Sequence, residues 1–294
     1  CLAERRAALD ALLGVFQAAD VEVVSRAQAA VAGLGDPRRC ADPVLLAAAI
    51  APPPPEHADE VERIERVVAR ATALRSAGSL AAAEAAIREI LGDIERVAYP
   101  PLDAAAQMVL GDLLEERSAF GEATERYTVA LERALAALDG RRAARTAVRP
   151  GGVLRARRRP DAEATLTMRL AAALVRAIGD PAELVVEYQH VQGMIALGRN
   201  ESAKAREWFE KEVADRRALD PDSPAIGSAL AGLAIAARGE GKLAELAELA
   251  AEARAHYERT LVPGHPEIAA AIDREGAVRF EQGRISEARE RFEE

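Results

Sequence analysis

Gly276-Ala277-Val278-Arg279-Phe280-Glu281-Gln282-Gly283-Arg284-Ile285-Ser286-Glu287-Ala288 carries a small residue at 276, a glycine at 283 and an alanine at 288. The glycine follows the first position by seven residues, and the alanine comes five later. The same shape recurs as Ala71…Gly78…Ala83, Gly111…Ser118…Ala123, Gly152…Arg159…Ala164 and Ala234…Gly241…Leu246. Ser118, Arg159 and Leu246 depart from the ideal. One more unit is expected between Ala164 and Ala234, and two registers offer it. Gly193 with Ala205 keeps the spacing; so does Val191 with Ala203, which also sets Gly198 at the turn. The links between units repeat too: Asp220-Pro221-Asp222-Ser223-Pro224 returns as Val262-Pro263-Gly264-His265-Pro266, 42 residues on.

Internal repeats of this length describe stacked helix pairs. A small residue sits where two helices cross closely, and glycine at the turn takes the positive φ that ends a helix. Proline cannot continue a helix interior but suits its first turn, so each link stops one helix and starts the next. A lone pair cannot bury its apolar face, whereas a stack can.

Composition agrees. Half of the 294 residues are hydrophobic, but only 3% are aromatic, and alanine supplies much of the apolar count. Alanine has the highest helix propensity and lets helices approach closely. No stretch alternates β-branched residues as a half-buried strand would. The class is all-α. The net charge of −9 argues against a nucleic-acid-binding domain, whose footprint is basic. No run is long and apolar enough to span a membrane. A cytoplasmic location is the expectation. The chain begins at Cys1 without Met and stops inside a helix-like pattern, so it reads as a fragment, and an unfinished last helix opens a route to self-association.

These residues resemble the tetratricopeptide (TPR) family. Its motif places Gly or Ala at the close-packed position of the first helix and Ala 12 residues later, as at Gly276 and Ala288. The long repeats and Pro-Gly-His-Pro links resemble kinesin light chains and their bacterial relatives, with Gly283–Arg289 similar to their turn and second helix. The resemblance implies a right-handed superhelix of antiparallel pairs over residues 58–294, about six pairs with the last truncated. It also implies a protein-binding scaffold that takes partner proteins or peptides on its concave face. Paired Asn residues often clamp the partner there; here those positions read Ala231-Gly232 and Asp273-Arg274.

Residues 1–50 form a separate helical segment. Leu2, Leu9, Leu12, Leu13 and Phe16 mark one helical face, and Asp20 is expected to cap a second helix through Leu34. A short third helix is expected after Asp42. Residues 51–57, with Pro52–Pro55, form a stiff linker. This segment resembles the region between kinase domain and repeats in bacterial serine/threonine protein kinases with C-terminal TPR arrays. Cys1–Arg6, Ala19-Asp20, Val23-Val24, Cys40-Ala41-Asp42 and the proline run carry that likeness. It implies the non-catalytic arm of a larger signalling protein. The alternative is a TPR sensor domain of a transcription regulator. Cys1 and Cys40 are expected as two unpaired thiols, with a disulfide between them as the alternative.

The chain holds no Gly-rich phosphate loop after a strand, no His-Arg-Asp and no Asp-Phe-Gly element. His57, His190, His256 and His265 have no HExxH-type partners, so no metal, cofactor or catalytic residue is expected. Counting the small residue as position 8, positions 5, 9 and 12 share one face of the first helix. This nominates Arg75, Asp112, Glu115, Arg238 and Asp273 for partner binding, and Tyr188 in the Val191 register. Arg155, Arg157 and Arg158 lie in an arginine-rich stretch, residues 141–159, read either as a charged frayed helix or as an anionic-partner patch. Trp208 and Phe209 are expected to pack between helices.

Overall fold

The computed structural model describes residues 2–34, 37–41, 50–149 and 162–293. Among them are fourteen α-helices and two short 3-10 helices, and no strand. The N-terminal pair is α1 (Leu2–Phe16) and α2 (Val21–Ala32). Then come α3 (Ala58–Ser76) and α4 (Leu80–Val97), α5 (Pro100–Glu116) and α6 (Phe120–Ala136), α7 (Gly140–Val148) and α8 (Ala162–Ala177). They are followed by α9 (Ala182–Gly198) and α10 (Ser202–Leu219), α11 (Ala225–Gly239) and α12 (Leu243–Thr260), α13 (Pro266–Glu281) and α14 (Ile285–Glu293). From α3 onward these are six antiparallel pairs. The chain divides into two compact units, one ending with Ala162–Leu184 and the other covering Val185–Glu294, each with its own core.

The five described turns within pairs are built alike. The residue seven after the small position takes positive φ: Gly78 (88°), Ser118 (61°), Asn200 (60°), Gly241 (75°) and Gly283 (76°). The next amide reaches back five residues to a helix carbonyl: Ser79 to Leu74 at 2.9 Å, Ala119 to Leu114 at 2.8 Å and Glu201 to Ala196 at 2.9 Å. Lys242 to Ala237 and Arg284 to Arg279 repeat it at 2.9 Å. This bond, with its left-handed residue, closes off orphan carbonyls at the helix end. Asn200 settles the ambiguous unit: its register is Gly193 with Ala205, and Gly198 lies inside α9. Gly152 and Arg159 lie outside the described residues. The same turn also closes α6 at Leu138 (φ 54°), with Asp139 bonded to Ala134 at 2.9 Å.

The small position receives a large side chain from the second helix, sixteen residues on. The Tyr127 ring lies where a Cβ on Gly111 would be, 2.7 Å away, and Phe209 stands 2.7 Å from that point on Gly193. Phe209 also covers Gly232 of the next pair, at 2.6 Å. Ala71 meets the smaller Ile87 in one buried cluster. Thus Gly111 and Gly193 each face a ring, and Ala71 faces an aliphatic chain.

Neighbouring pairs are keyed by charge. Arg75 on α3 reaches Glu116 on α5 at 2.7 Å, and Arg238 on α11 reaches Glu281 on α13 at 3.3 Å, the same two repeat positions. A second key has its sign reversed: Glu84 on α4 holds Arg117, whereas Arg206 on α10 holds Glu240 at 2.8 Å.

In the N-terminal segment, Asp20 caps α2 by accepting the Val23 amide at 2.9 Å. Leu12 and Val15 are buried against Ala73 of α3 and Ala77 just beyond its end. Leu2, Leu9 and Leu13 stay exposed, because α1 turns its Leu12–Val15 edge inward rather than the whole leucine set. The short Pro37–Ala41 helix folds back on α1, and Cys40 is disulfide-bonded rather than a free thiol. Cys1 and the expected helix after Asp42 lie outside the described residues.

Leu138 is 88% exposed and pays for its left-handed backbone with no contact in return. Leu138→Gly is expected to stabilise the fold by about 1 kcal/mol and Gly241→Ala to destabilise it by about as much, read from urea midpoints. A Cβ at 241 meets nothing within 4 Å, so its cost is purely conformational. Hydrogen bonds from Arg206, then Lys242, depress the Glu240 carboxyl to about 2. A carboxylate with a lowered folded pKa stabilises above its unfolded value, about 4.3, and the contribution fades as pH falls through the folded one. Glu240→Gln should therefore be less stable than the parent at neutral pH, with the gap closing near pH 2.

Candidate functional site

The nominated residues separate into two settings. In the first unit, Arg75, Asp112 and Glu115 are brought into one network. Asp112 is only 6% exposed. The Tyr127 hydroxyl lies 2.9 Å from Asp112 Oδ1 and 2.6 Å from Glu115 Oε2, which share its proton. Arg75 Nη2 stands 3.3 Å from Asp112 Oδ2, and Arg149 Nε 3.7 Å from Oδ1. Both carboxylate oxygens of Asp112 are thus engaged within the chain. Burial and the two carboxylates push the Tyr127 phenol far above its usual range, so it remains a donor.

In the second unit, the same face of α11 and α13 is open. Asp273 is exposed, and the Arg238 side chain is 55% exposed against 20% for Arg75. Ile235 and Phe280, at positions 9 and 12, are also exposed, Phe280 by 62%. Between α11, α12 and α13 lies a cleft of about 90 Å³. Its floor includes Ala231, Ala250, Ala253 and Leu246, and its rim Arg238, Arg274 and Glu281. Position-by-position comparison with α3, α4 and α5 explains the space. Val68, Ile87 and Ile90, all buried there, correspond to Ala231, Ala250 and Ala253 here. Asp112 corresponds to Ala277. Leu246 in place of Ala83 returns only part of the volume. Reading each repeat alone hid this cleft; stacking the repeats position by position would have shown it.

Tyr188 falls at position 3 once Gly193 sets the register, outside the nominated face. It meets the half-buried Trp208 edge-on, centroids 5.9 Å apart. Phe209 is fully buried, as its packing role requires. Its ring on Gly232 gives the reason that no Asn stands there: any side chain would collide with it. Arg155, Arg157 and Arg158 lie outside the described residues. Of their neighbours, Arg142 pairs with Asp139 at 2.9 Å and Arg141 with Glu183 at 3.1 Å.

Three of the four histidines hold structure. His265 caps α13 by accepting the Glu267 amide at 3.1 Å. His256 Nε2 donates to the Ser223 carbonyl at 2.8 Å, tying α12 to the Asp220–Pro224 link, and its Nδ1 accepts from Arg259. His190 Nδ1 lies 3.1 Å from both oxygens of the fully buried Glu212, which Arg216 also holds at 2.7 Å. Among the described residues no group of three His, Cys, Asp or Glu side chains is placed to hold a metal ion. No described helix is long and apolar enough to cross a membrane.

Solved structures share this arrangement of antiparallel helix pairs. A Rap protein complexed with Competence and Sporulation Factor superposes with a TM-score of 0.64 over 98% of this chain and 75% of its own, at 12% identity. BtubC (BKLC) from P. vanneervenii gives 0.58 over 73% of this chain and 88% of its own, at 18% identity. Apo RapI gives 0.52 over 80% and 62%, at 14% identity. The fold is a TPR-like helical repeat. No family profile matches the chain. No curated protein sequence matches it either.

Tyr127→Phe removes the one hydroxyl shared by Asp112 and Glu115 while keeping the ring on Gly111. It should destabilise the fold by about 1–3 kcal/mol, the cost of leaving a buried acceptor short of its donor, as read from denaturant unfolding.

Proposed function

We propose that the chain is a protein-interaction scaffold that binds a partner protein or peptide on the first-helix face of its repeats. The supporting observation is the open face of α11 and α13. There Ile235, Arg238, Asp273 and Phe280 meet solvent at the positions that Arg75, Asp112 and their partners close in the first unit. An exposed aliphatic and aromatic pair rimmed by charge is what an interaction surface needs. A random peptide library selected on the purified chain should enrich binders. Phe280→Asp and Ile235→Asp should each weaken them by about tenfold or more, roughly 1.4 kcal/mol. Enriched peptides that bind these variants as they bind the parent would overturn this face.

On this reading the repeats are the non-catalytic arm of a larger bacterial signalling protein, and the likeness of residues 1–55 to kinase-associated segments supports it. Coding sequence upstream of Cys1 with a Gly-rich loop, His-Arg-Asp and Asp-Phe-Gly would bear out a serine/threonine kinase parent; its absence would overturn that parent. A sensor role is the second reading, favoured by the likeness along 98% of the chain to a Rap protein solved with Competence and Sporulation Factor. A helix-turn-helix elsewhere in the parent would mark a transcription regulator.

A further inference from the structure

The chain contains its own template for what the open cleft takes. Around α3, α4 and α5, the aliphatic chains of Ile87 and Ile90 fill the space between the helices, and the Asp112 carboxylate sits against Arg75. Around α11, α12 and α13, those two contributions are missing together. Ala250 and Ala253 leave the space, and Ala277 leaves Arg238 without the second carboxylate. What remains to Arg238 is Glu281 at 3.3 Å. Arg274, on the same rim, is exposed and makes no hydrogen bond or ion pair among the described residues. The cleft therefore has an apolar floor and two guanidinium groups against one carboxylate at its mouth.

We propose that this cleft binds a peptide segment in which an aliphatic residue is followed by Asp or Glu. The aliphatic side chain enters over Ala250 and Ala253, taking the place that Ile87 and Ile90 hold in the earlier repeat. The adjacent carboxylate meets Arg238 beside Ala277, as Asp112 meets Arg75, and Arg274 closes on its other side. A guanidinium recognises a carboxylate through two parallel N–H bonds, and an apolar floor raises the value of that pair by excluding water. This assignment rests on the scaffold reading above and narrows it to one site and one ligand chemistry.

The test is an array of short synthetic peptides carrying Leu or Ile followed by Asp, Glu, Asn or Gln, probed with the labelled 294-residue chain. The tightest binders are then titrated by fluorescence anisotropy. Acidic peptides should bind at least about tenfold more tightly than their amide counterparts. Ala277→Asp supplies the missing carboxylate internally, and Ala250→Ile refills the floor. Each should weaken acidic-peptide binding by about tenfold or more, as should Arg238→Ala. Thermal melts confirm folding, and since Ala277 is exposed, Ala277→Asp decides alone if Ala250→Ile does not fold. Equal retention of acid and amide peptides, no retention of either, or unaltered binding to Ala277→Asp would overturn the inference. If library-selected peptides still bind and are lost in Phe280→Asp while Ala277→Asp is silent, the scaffold reading stands and this site falls.

Discussion

The distance at which the two helices of a pair cross is the constraint on which the rest of this structure depends. It is held by trading volume across the crossing: no side chain at Gly111 or Gly193, and a ring from Tyr127 or Phe209 in the vacated space. The trade lets a chain with so few aromatics fill its crossings, since Tyr127 and Phe209 each serve as the spacer of a whole pair. Phe209 serves two, lying on Gly193 within its own pair and on Gly232 in the next. Where the trade is not made, at Ala234 and Ala250, the packing opens into the cleft. Core economy and candidate site thus have one cause.

The turns translate that crossing into antiparallel direction. A left-handed residue reverses the chain within a few bonds, and the amide behind it returns to the helix it has just left. Glycine suits the backbone, yet Ser118, Asn200 and Leu138 adopt it too. Their strain is tolerated because the helices on both sides are pinned by packing, which fixes the turn from outside.

Much of this was legible in the sequence. The small-Gly-Ala spacing located the turns at 78, 118, 241 and 283, and the duplicated proline links located the breaks between pairs. Asn200 was passed over although asparagine, after glycine, adopts left-handed backbone most readily, because Gly198, two residues earlier, offered a false signal. Leu138 could not have been found at all: its conformation comes from its neighbours' packing. Arg75 and Asp112 were nominated for partner binding and in the structure meet each other, because a helical face does not reveal whether its charges look at solvent or at one another. That depends on Tyr127, fifteen residues away from Asp112, and on the helix that delivers it. The cleft escaped for a different reason. It consists of what alanines fail to fill, and only the alignment of Ala231, Ala250 and Ala253 with Val68, Ile87 and Ile90 marks which alanines stand beside empty space.

The reversed charge key between pairs has a consequence for the lineage of such a chain. Glu84 seeks a base on the pair that follows it, and Arg206 seeks an acid. A deletion that joined the α3–α4 pair directly to the α11–α12 pair would set Glu84 against Glu240, acid facing acid. The repeats share a shape but not a polarity, so they behave as numbered pages rather than interchangeable tiles. Recombination that exchanges pairs across these two seams leaves a charge mismatch where they meet.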